Sequence, residues 1–172
     1  MPEFIPVLTQ GAIAARIQAV AQRISIDYKD RDLILIGILK GAFIFLADLI
    51  RHLSIPVKVD FLCVSSYGDR TTSSGQIRLT KDVGLNLKNK DVLVVEDIVD
   101  TGLTLAHLIE HLKVAGAASV RICALIDKRE RRQTAIAVDY VCHTVEKGFL
   151  VGYGLDYAEY YRNLPGIYHL KL

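Results

Sequence analysis

Val92–Thr104 reads V-L-V-V-E-D-I-V-D-T-G-L-T. Its first four residues are all apolar, the pattern of a short strand buried on both faces of a sheet. Three carboxylates follow within five positions, Glu96, Asp97 and Asp100. Like charges this close oppose one another's ionisation, and an acid cluster at a strand end is commonly resolved by a cation. Ligands that are all oxygen favour Mg²⁺ over zinc or copper. Thr101-Gly102-Leu103-Thr104 then opens a helical stretch. Backbone N–H groups at a helix N-terminus lack internal partners and carry the positive end of the dipole, Gly102 permits close approach, and the threonines add hydroxyls, so the stretch reads as a phosphate cradle. It has neither the G-x-x-x-x-G-K-[ST] of a P-loop nor the G-x-G-x-x-G of a dinucleotide fold. An ordinary strand, an acidic loop and a Thr-capped helix would share much of this pattern. Three acids directly before T-G-x-T, after a fully apolar strand, favour a site.

On either side of this stretch, strand and helix patterns alternate. Leu33–Leu39 is a continuous apolar run of strand length, broken by Lys40-Gly41, and Ala42–Leu53 returns to helical character. Ile13, Ile17, Val20, Ala21 and Ile24 recur at helical spacing. Val57–Val64 reads as a strand, and Ser65–Thr80, rich in Gly, Ser and Thr, as a loop. Asp91–Val95 is a short strand bounded by Glu96-Asp97, Gly102–Ala115 an amphipathic helix and Ser119–Ile126 another strand, with short strands at Phe149–Val151 and Tyr168–Leu170. Buried strands alternating with helices predict an α/β domain with a mainly parallel sheet core flanked by helices. Ligands gather at the carboxyl ends of such strands, which singles out the loops after Leu39, Val95 and Ile126.

A chain of 172 residues favours a single domain. Lys and Arg number 21 against 19 Asp and Glu, a net +2, too small a bias for a nucleic-acid-binding face. Cys63, Cys123 and Cys142 lie far apart in apolar runs and read as buried free thiols of a reducing compartment. No signal peptide is evident at Met1–Gln10, and no apolar stretch approaches the roughly 20 residues of a membrane span. The expectation is a cytoplasmic protein with no membrane and no nucleic-acid partner. There is no internal repeat, low-complexity tract or linker.

V-V-E-D-I-V-D-T-G-L-T resembles the phosphoribosyl-diphosphate (PRPP) signature of type I phosphoribosyltransferases. The resemblance extends over most of the chain and is to the hypoxanthine-guanine branch, through L-K-G at Leu39–Gly41, S-S-Y-G at Ser65–Gly68, D-K-R at Asp127–Arg129 and F-L-V-G-Y-G-L-D-Y-A-E-Y-Y-R-N-L-P at Phe149–Pro165. It implies a sheet of about five parallel strands with a small hood built from terminal segments. It also implies a Mg²⁺-dependent reaction of hypoxanthine or guanine with PRPP to give IMP or GMP and pyrophosphate, in a homodimer or homotetramer.

By that resemblance Glu96 and Asp97 hold the ribose hydroxyls, directly or through Mg²⁺, and Ile98, Val99, Asp100, Thr101, Gly102, Leu103 and Thr104 complete the PRPP and 5′-phosphate site. Asp100 resembles the base that takes the purine proton. Lys40, Gly41 and Arg162 resemble the pyrophosphate site, with a cis peptide before Lys40. Asp156 resembles a ligand of a second Mg²⁺ beside the pyrophosphate and is counted with the purine-binding residues. Lys128, Phe149 and Leu150 resemble the base-recognition set: an ammonium that can only donate selects a 6-oxo over a 6-amino group, Phe149 stacks, and the Leu150 backbone meets the purine edge. From composition alone Lys128 is a solvated charge beside Arg129, Arg131 and Arg132, and Phe149 and Leu150 are core strand. Ser66 and Tyr67 open a lid over Ser66–Gly75. Two departures stand out. Leu103 takes a place where some relatives carry a basic residue, and Gly148 one where a Lys is common.

Two other readings are available. His107-Leu108-Ile109-Glu110-His111 fits H-x-x-E-H, a zinc-peptidase pattern, but both histidines lie off the apolar stripe Leu105, Leu108, Ile109, Leu112, Ala115, which favours a solvated face. A PRPP-sensing, RNA-binding regulator on the same fold would need a strongly basic face, and the net charge of +2 gives it little support.

Overall fold

The computed structural model describes residues 1–66 and 77–172. Its elements are β1 (Glu3–Leu8), α1 (Gln10–Asp27), β2 (Leu33–Leu39), α2 (Phe43–His52), β3 (Val57–Ser66), β4 (Ile77–Lys81), β5 (Asp91–Val99), α3 (Leu103–Val114), β6 (Ser119–Lys128), β7 (Tyr140–Val145), β8 (Leu150–Val151) and β9 (Ile167–Lys171). Among the described residues the main sheet has the order β4-β3-β2-β5-β6-β7. All its pairings are parallel except β3 with β4. The apolar runs take the centre, where β2 lies between β3 and β5 with Leu33 opposite both Val57 and Asp91.

Because successive side chains of a strand point to opposite faces, these runs supply two cores at once. Leu33, Leu35, Leu93 and Val95 pack with Ile13, Ile17, Val20 and Ile24 of α1 and with Phe45, Leu46 and Leu49 of α2. Ile34, Ile36, Val92 and Val94 pack on the other face with Leu105, Leu108 and Leu112 of α3. Removing each such side chain from water contributes about 1.5–3 kcal/mol. The Thr9 hydroxyl caps α1, accepting from the Ala12 N–H at 3.1 Å. Cys123 and Cys142 are buried, Cys63 is partly so, and all three thiols are free. Burial pushes the Cys142 thiol up to about 12.

The sequence expectations need correcting at five strands. β5 runs four residues beyond Val95, to Val99, and β6 two beyond Ile126, to Lys128. Glu96 and Asp97 therefore sit in a strand. The ladder explains the extension, since Glu96 pairs with Ala124, Ile98 with Ile126 and Val99 with Asp127. β4 lies within the expected loop at residues 65–80, where Ile77 and Leu79 alternate with Arg78 and Thr80 and pair antiparallel with β3. β1 and β7 were not expected at all; β1 pairs across nearly the whole chain with β9, Glu3 opposite Lys171. β1, β9 and β8 form a second, antiparallel sheet of three strands among the described residues, a hood made from the two ends of the chain. No helix among the described residues is long and apolar enough to cross a membrane.

Candidate active site

Glu96 and Asp97 lie side by side at the carboxyl end of the central strand. The Asp97 N–H donates to Glu96 Oε1 at 3.0 Å and the Ile98 N–H to Asp97 Oδ1 at 2.8 Å. Burial, and then the neighbouring Asp97 carboxylate, push Glu96 well above the usual carboxylate range. Burial also raises Asp97, against its hydrogen bonds and the pull of Arg162. Among the described residues neither carboxylate has an ion pair, and the donor atoms they offer a metal are all oxygen. Gly41 is laid directly on it: a Cβ at that position would fall 1.8 Å from Asp97 Oδ2. Only glycine lets the loop after β2 come so near.

The loop after β5 is shaped from behind. Arg132 donates through Nε to the Asp100 carbonyl at 2.9 Å and through Nη2 to that of Val99 at 3.3 Å. The Gln133 and Thr134 N–H groups donate to the Thr101 carbonyl at 2.9 and 3.3 Å. In a trans peptide the N–H points opposite to the carbonyl, so the following amides are turned away from this segment. Leu103 N–H donates to Thr101 Oγ1 at 3.3 Å. The N–H groups of Thr101, Gly102, Thr104 and Leu105 have no acceptor among the described residues. Gly102, with φ 83°, is the N-cap of α3. These residues line a cleft of about 200 Å³ together with Ile38, Glu96, Ile98, Val99 and Asp100. Free amides at a helix N-terminus suit an anion. The Leu103 side chain is exposed and adds no charge to the loop.

Asp100 projects into the same cleft, with Oδ1 buried and unpartnered. Its Oδ2 lies 3.8 Å from Lys128 Nζ and 3.6 Å from Arg131 Nη1. Lys128, the last residue of β6, is only 7% exposed, so it is no solvated loop charge; lysine is seldom buried this far unless paired. Asp127 beside it is also buried and holds Arg132 and Arg129.

The remaining cations meet under the hood. The Leu39–Lys40 peptide is cis. Lys40 Nζ lies 2.7 Å from Glu159 Oε2. Arg162 Nη2 lies 3.4 Å from Glu159 Oε1 and 3.1 Å from Asp156 Oδ1, while its Nη1 donates to the Gly154 carbonyl at 2.7 Å. The other Asp156 oxygen accepts the Glu159 N–H at 2.9 Å. Asp156 is thus engaged within the hood and not grouped with Glu96 and Asp97; among the described residues no trio of His, Cys, Asp or Glu could hold a metal. Phe149 is exposed and meets Tyr157 edge-on with centroids 5.7 Å apart, whereas Leu150 is buried and pairs with His169. Ser66 is the last residue of β3; Tyr67 and the rest of the expected lid lie outside the described residues. In H-x-x-E-H, His111 lies 2.9 Å from Asp82 and Glu110 2.9 Å from Lys113, so the motif is spent on pairs along the helix surface.

The family model described as phosphoribosyl transferase domain matches residues 7–158. The chain belongs to the phosphoribosyltransferase family. It is 45% identical over 163 residues to the hypoxanthine-guanine phosphoribosyltransferase of Streptococcus mutans, covering 95% of this chain and 91% of that protein. The protein of the same name from Streptococcus thermophilus is 44% identical over 163 residues, with coverage of 95% and 91%. A crystal structure of a hypoxanthine phosphoribosyltransferase from Staphylococcus aureus superposes with a TM-score of 0.93 at 41% identity, covering 96% of this chain and 90% of that one. That of a hypoxanthine-guanine phosphoribosyltransferase from Bacillus anthracis gives 0.93 at 37% identity, with 100% of each chain covered.

This phosphoribosyltransferase also uses residues that the sequence reading passed over. Glu159 joins Lys40 to Arg162. Its spacing of three from both Asp156 and Arg162 was the available signal. Arg132, which braces the loop after β5 and is held by Asp127, was hidden in a basic run that reads as surface.

Proposed function

We propose that this phosphoribosyltransferase joins hypoxanthine or guanine to the ribose of PRPP, with release of pyrophosphate, and that it works with Mg²⁺. The observation that carries the reading is the buried Lys128 ammonium beside Asp100, whose second carboxylate oxygen is buried and unpartnered. One group can donate to a 6-oxo oxygen and reject a 6-amino group; the other can accept a proton from the purine ring nitrogen. The names of the relatives agree.

The other residues take their parts from position. The free amides of Thr101, Gly102, Thr104 and Leu105 hold the 5′-phosphate at the helix N-terminus. Glu96 and Asp97 bind the ribose hydroxyls and would hold Mg²⁺. Two adjacent, oxygen-only carboxylates with no ion pair among the described residues fit an ion that takes its other ligands from water and phosphate. Bound there, Mg²⁺ supplies charge stabilisation to PRPP. Lys40 and Arg162 exchange Glu159 for the leaving pyrophosphate, and Phe149 lies against the base. Asp156, as a second metal ligand, would first have to release Arg162.

The test is a PRPP-dependent assay across hypoxanthine, guanine and xanthine, with adenine and uracil as controls, before and after chelation of Mg²⁺. Turnover of a 6-oxopurine that stops on chelation is expected. Adenine or uracil reacting as fast as hypoxanthine would defeat the reading. Lys128→Ala is expected to reduce the preference for 6-oxo over 6-amino purines by at least roughly tenfold, since a site built around a hydrogen bond discriminates strongly only while its donor is present. An unchanged preference in the variant would remove Lys128 from that role.

A further inference from the structure

We propose that Glu130 is a positioning residue for the purine, tying the Lys128 ammonium to the backbone of the bend that leads into β8. The proposal rests on the role given to Lys128 above. Lys128 Nζ stands 3.8 Å from Glu130 Oε2 and 3.8 Å from Asp100 Oδ2, midway between two carboxylates. The same Glu130 oxygen accepts the Gly148 N–H at 3.3 Å. Gly148 directly precedes Phe149 and Leu150. With φ 105°, and with a Cβ that would fall 2.5 Å from His169 Nδ1, it could carry a side chain only with backbone strain and with His169 displaced. The rim here is therefore fixed through its backbone, with Glu130 as the contact that reaches it from the Lys128 side.

The chemistry explains why a second carboxylate is useful. When Asp100 takes the purine proton it ceases to be an anion, and the buried Lys128 loses one of its two counter-charges at the moment its hydrogen bond to the 6-oxo group matters. Glu130 keeps an anion beside it throughout. Before the reaction, Glu130 shares the ammonium with Asp100 Oδ2, and Asp100 Oδ1 stays free for the proton. One carboxylate oxygen thus ties the donor at one edge of the purine to the bend that leads into β8.

Glu130→Gln keeps an acceptor for the Gly148 N–H and removes the charge facing Lys128, while Glu130→Ala removes both. For Gln, KM for hypoxanthine is expected to rise roughly three- to tenfold, the scale of one ordinary net interaction; for Ala it should rise further. KM for PRPP should stay within about twofold and the melting temperature should be unchanged, because Glu130 is a half-exposed side chain. In a Lys128→Ala background, Glu130→Gln should no longer affect hypoxanthine. Equal rises in both KM values, no rise in either, or an undiminished effect in the double variant would overturn the proposal. If Lys128→Ala alone leaves KM for hypoxanthine unchanged, the role of Lys128 fails and this inference falls with it; if only the Glu130 variants are silent, the inference alone is lost.

Discussion

Asp100→Asn is expected to lower kcat by roughly 10- to 10⁴-fold, the span usual for loss of a general acid–base group, while PRPP still binds. The amide matches the carboxylate in shape but accepts a proton poorly. The loop should survive because it is braced through backbone: Arg132 grips the carbonyls of Val99 and Asp100, and Gln133 and Thr134 that of Thr101. The free amides proposed to hold the 5′-phosphate stay where they are. Single-turnover kinetics, with PRPP binding measured separately by calorimetry, would separate the two effects. A variant that binds PRPP and turns over at the wild-type rate would exclude Asp100 as the base.

Gly41→Ala should be as damaging by a steric route. The added Cβ would lie 1.8 Å from Asp97 Oδ2 and 2.5 Å from its Cγ, so either the carboxylate or the loop must move by more than an ångström. Misplacement on that scale costs about 10²-fold in rate, and overpacking costs about 1–3 kcal/mol of stability. kcat/KM for PRPP should fall by about two orders of magnitude with a lower melting temperature. Gly11→Ala, where a Cβ meets nothing within 4 Å, is the control and should change neither. A Gly41→Ala enzyme with wild-type kcat/KM would show that the close approach to Asp97 is not needed.

Much of the frame was legible because it is written in uninterrupted apolar runs. Leu33–Leu39 gives β2 to the residue, and the helical spacing from Ile13 to Ile24 gives the buried face of α1. The reading stopped too early at Val95 and Ile126 because charged residues follow, although the ladder between β5 and β6 continues through them. That one error turned a rigid strand end into a loop and left Lys128 looking exposed. β4 was lost among polar neighbours, and β1 depends on β9, a partner no local pattern can reveal. The motif residues proposed for the site were picked out by likeness. Glu130, Glu159 and Arg132 were not, because what each does depends on which segments meet in space.

The ion-pair quartet under the hood bears on how the site is filled. Lys40 and Arg162 are matched by Asp156 and Glu159, so the formal charges of the four sum to nothing. Such a cluster projects little field beyond a Debye length and cannot draw a polyanion in from solution. If Lys40 and Arg162 hold the leaving pyrophosphate as proposed, this is no handicap in the forward direction, since the pyrophosphate arrives as part of PRPP and needs only short-range contacts. Free pyrophosphate entering for the reverse reaction gets no such escort from these four residues. Its capture there is governed by ordinary diffusion and by the exchange of one anion for another.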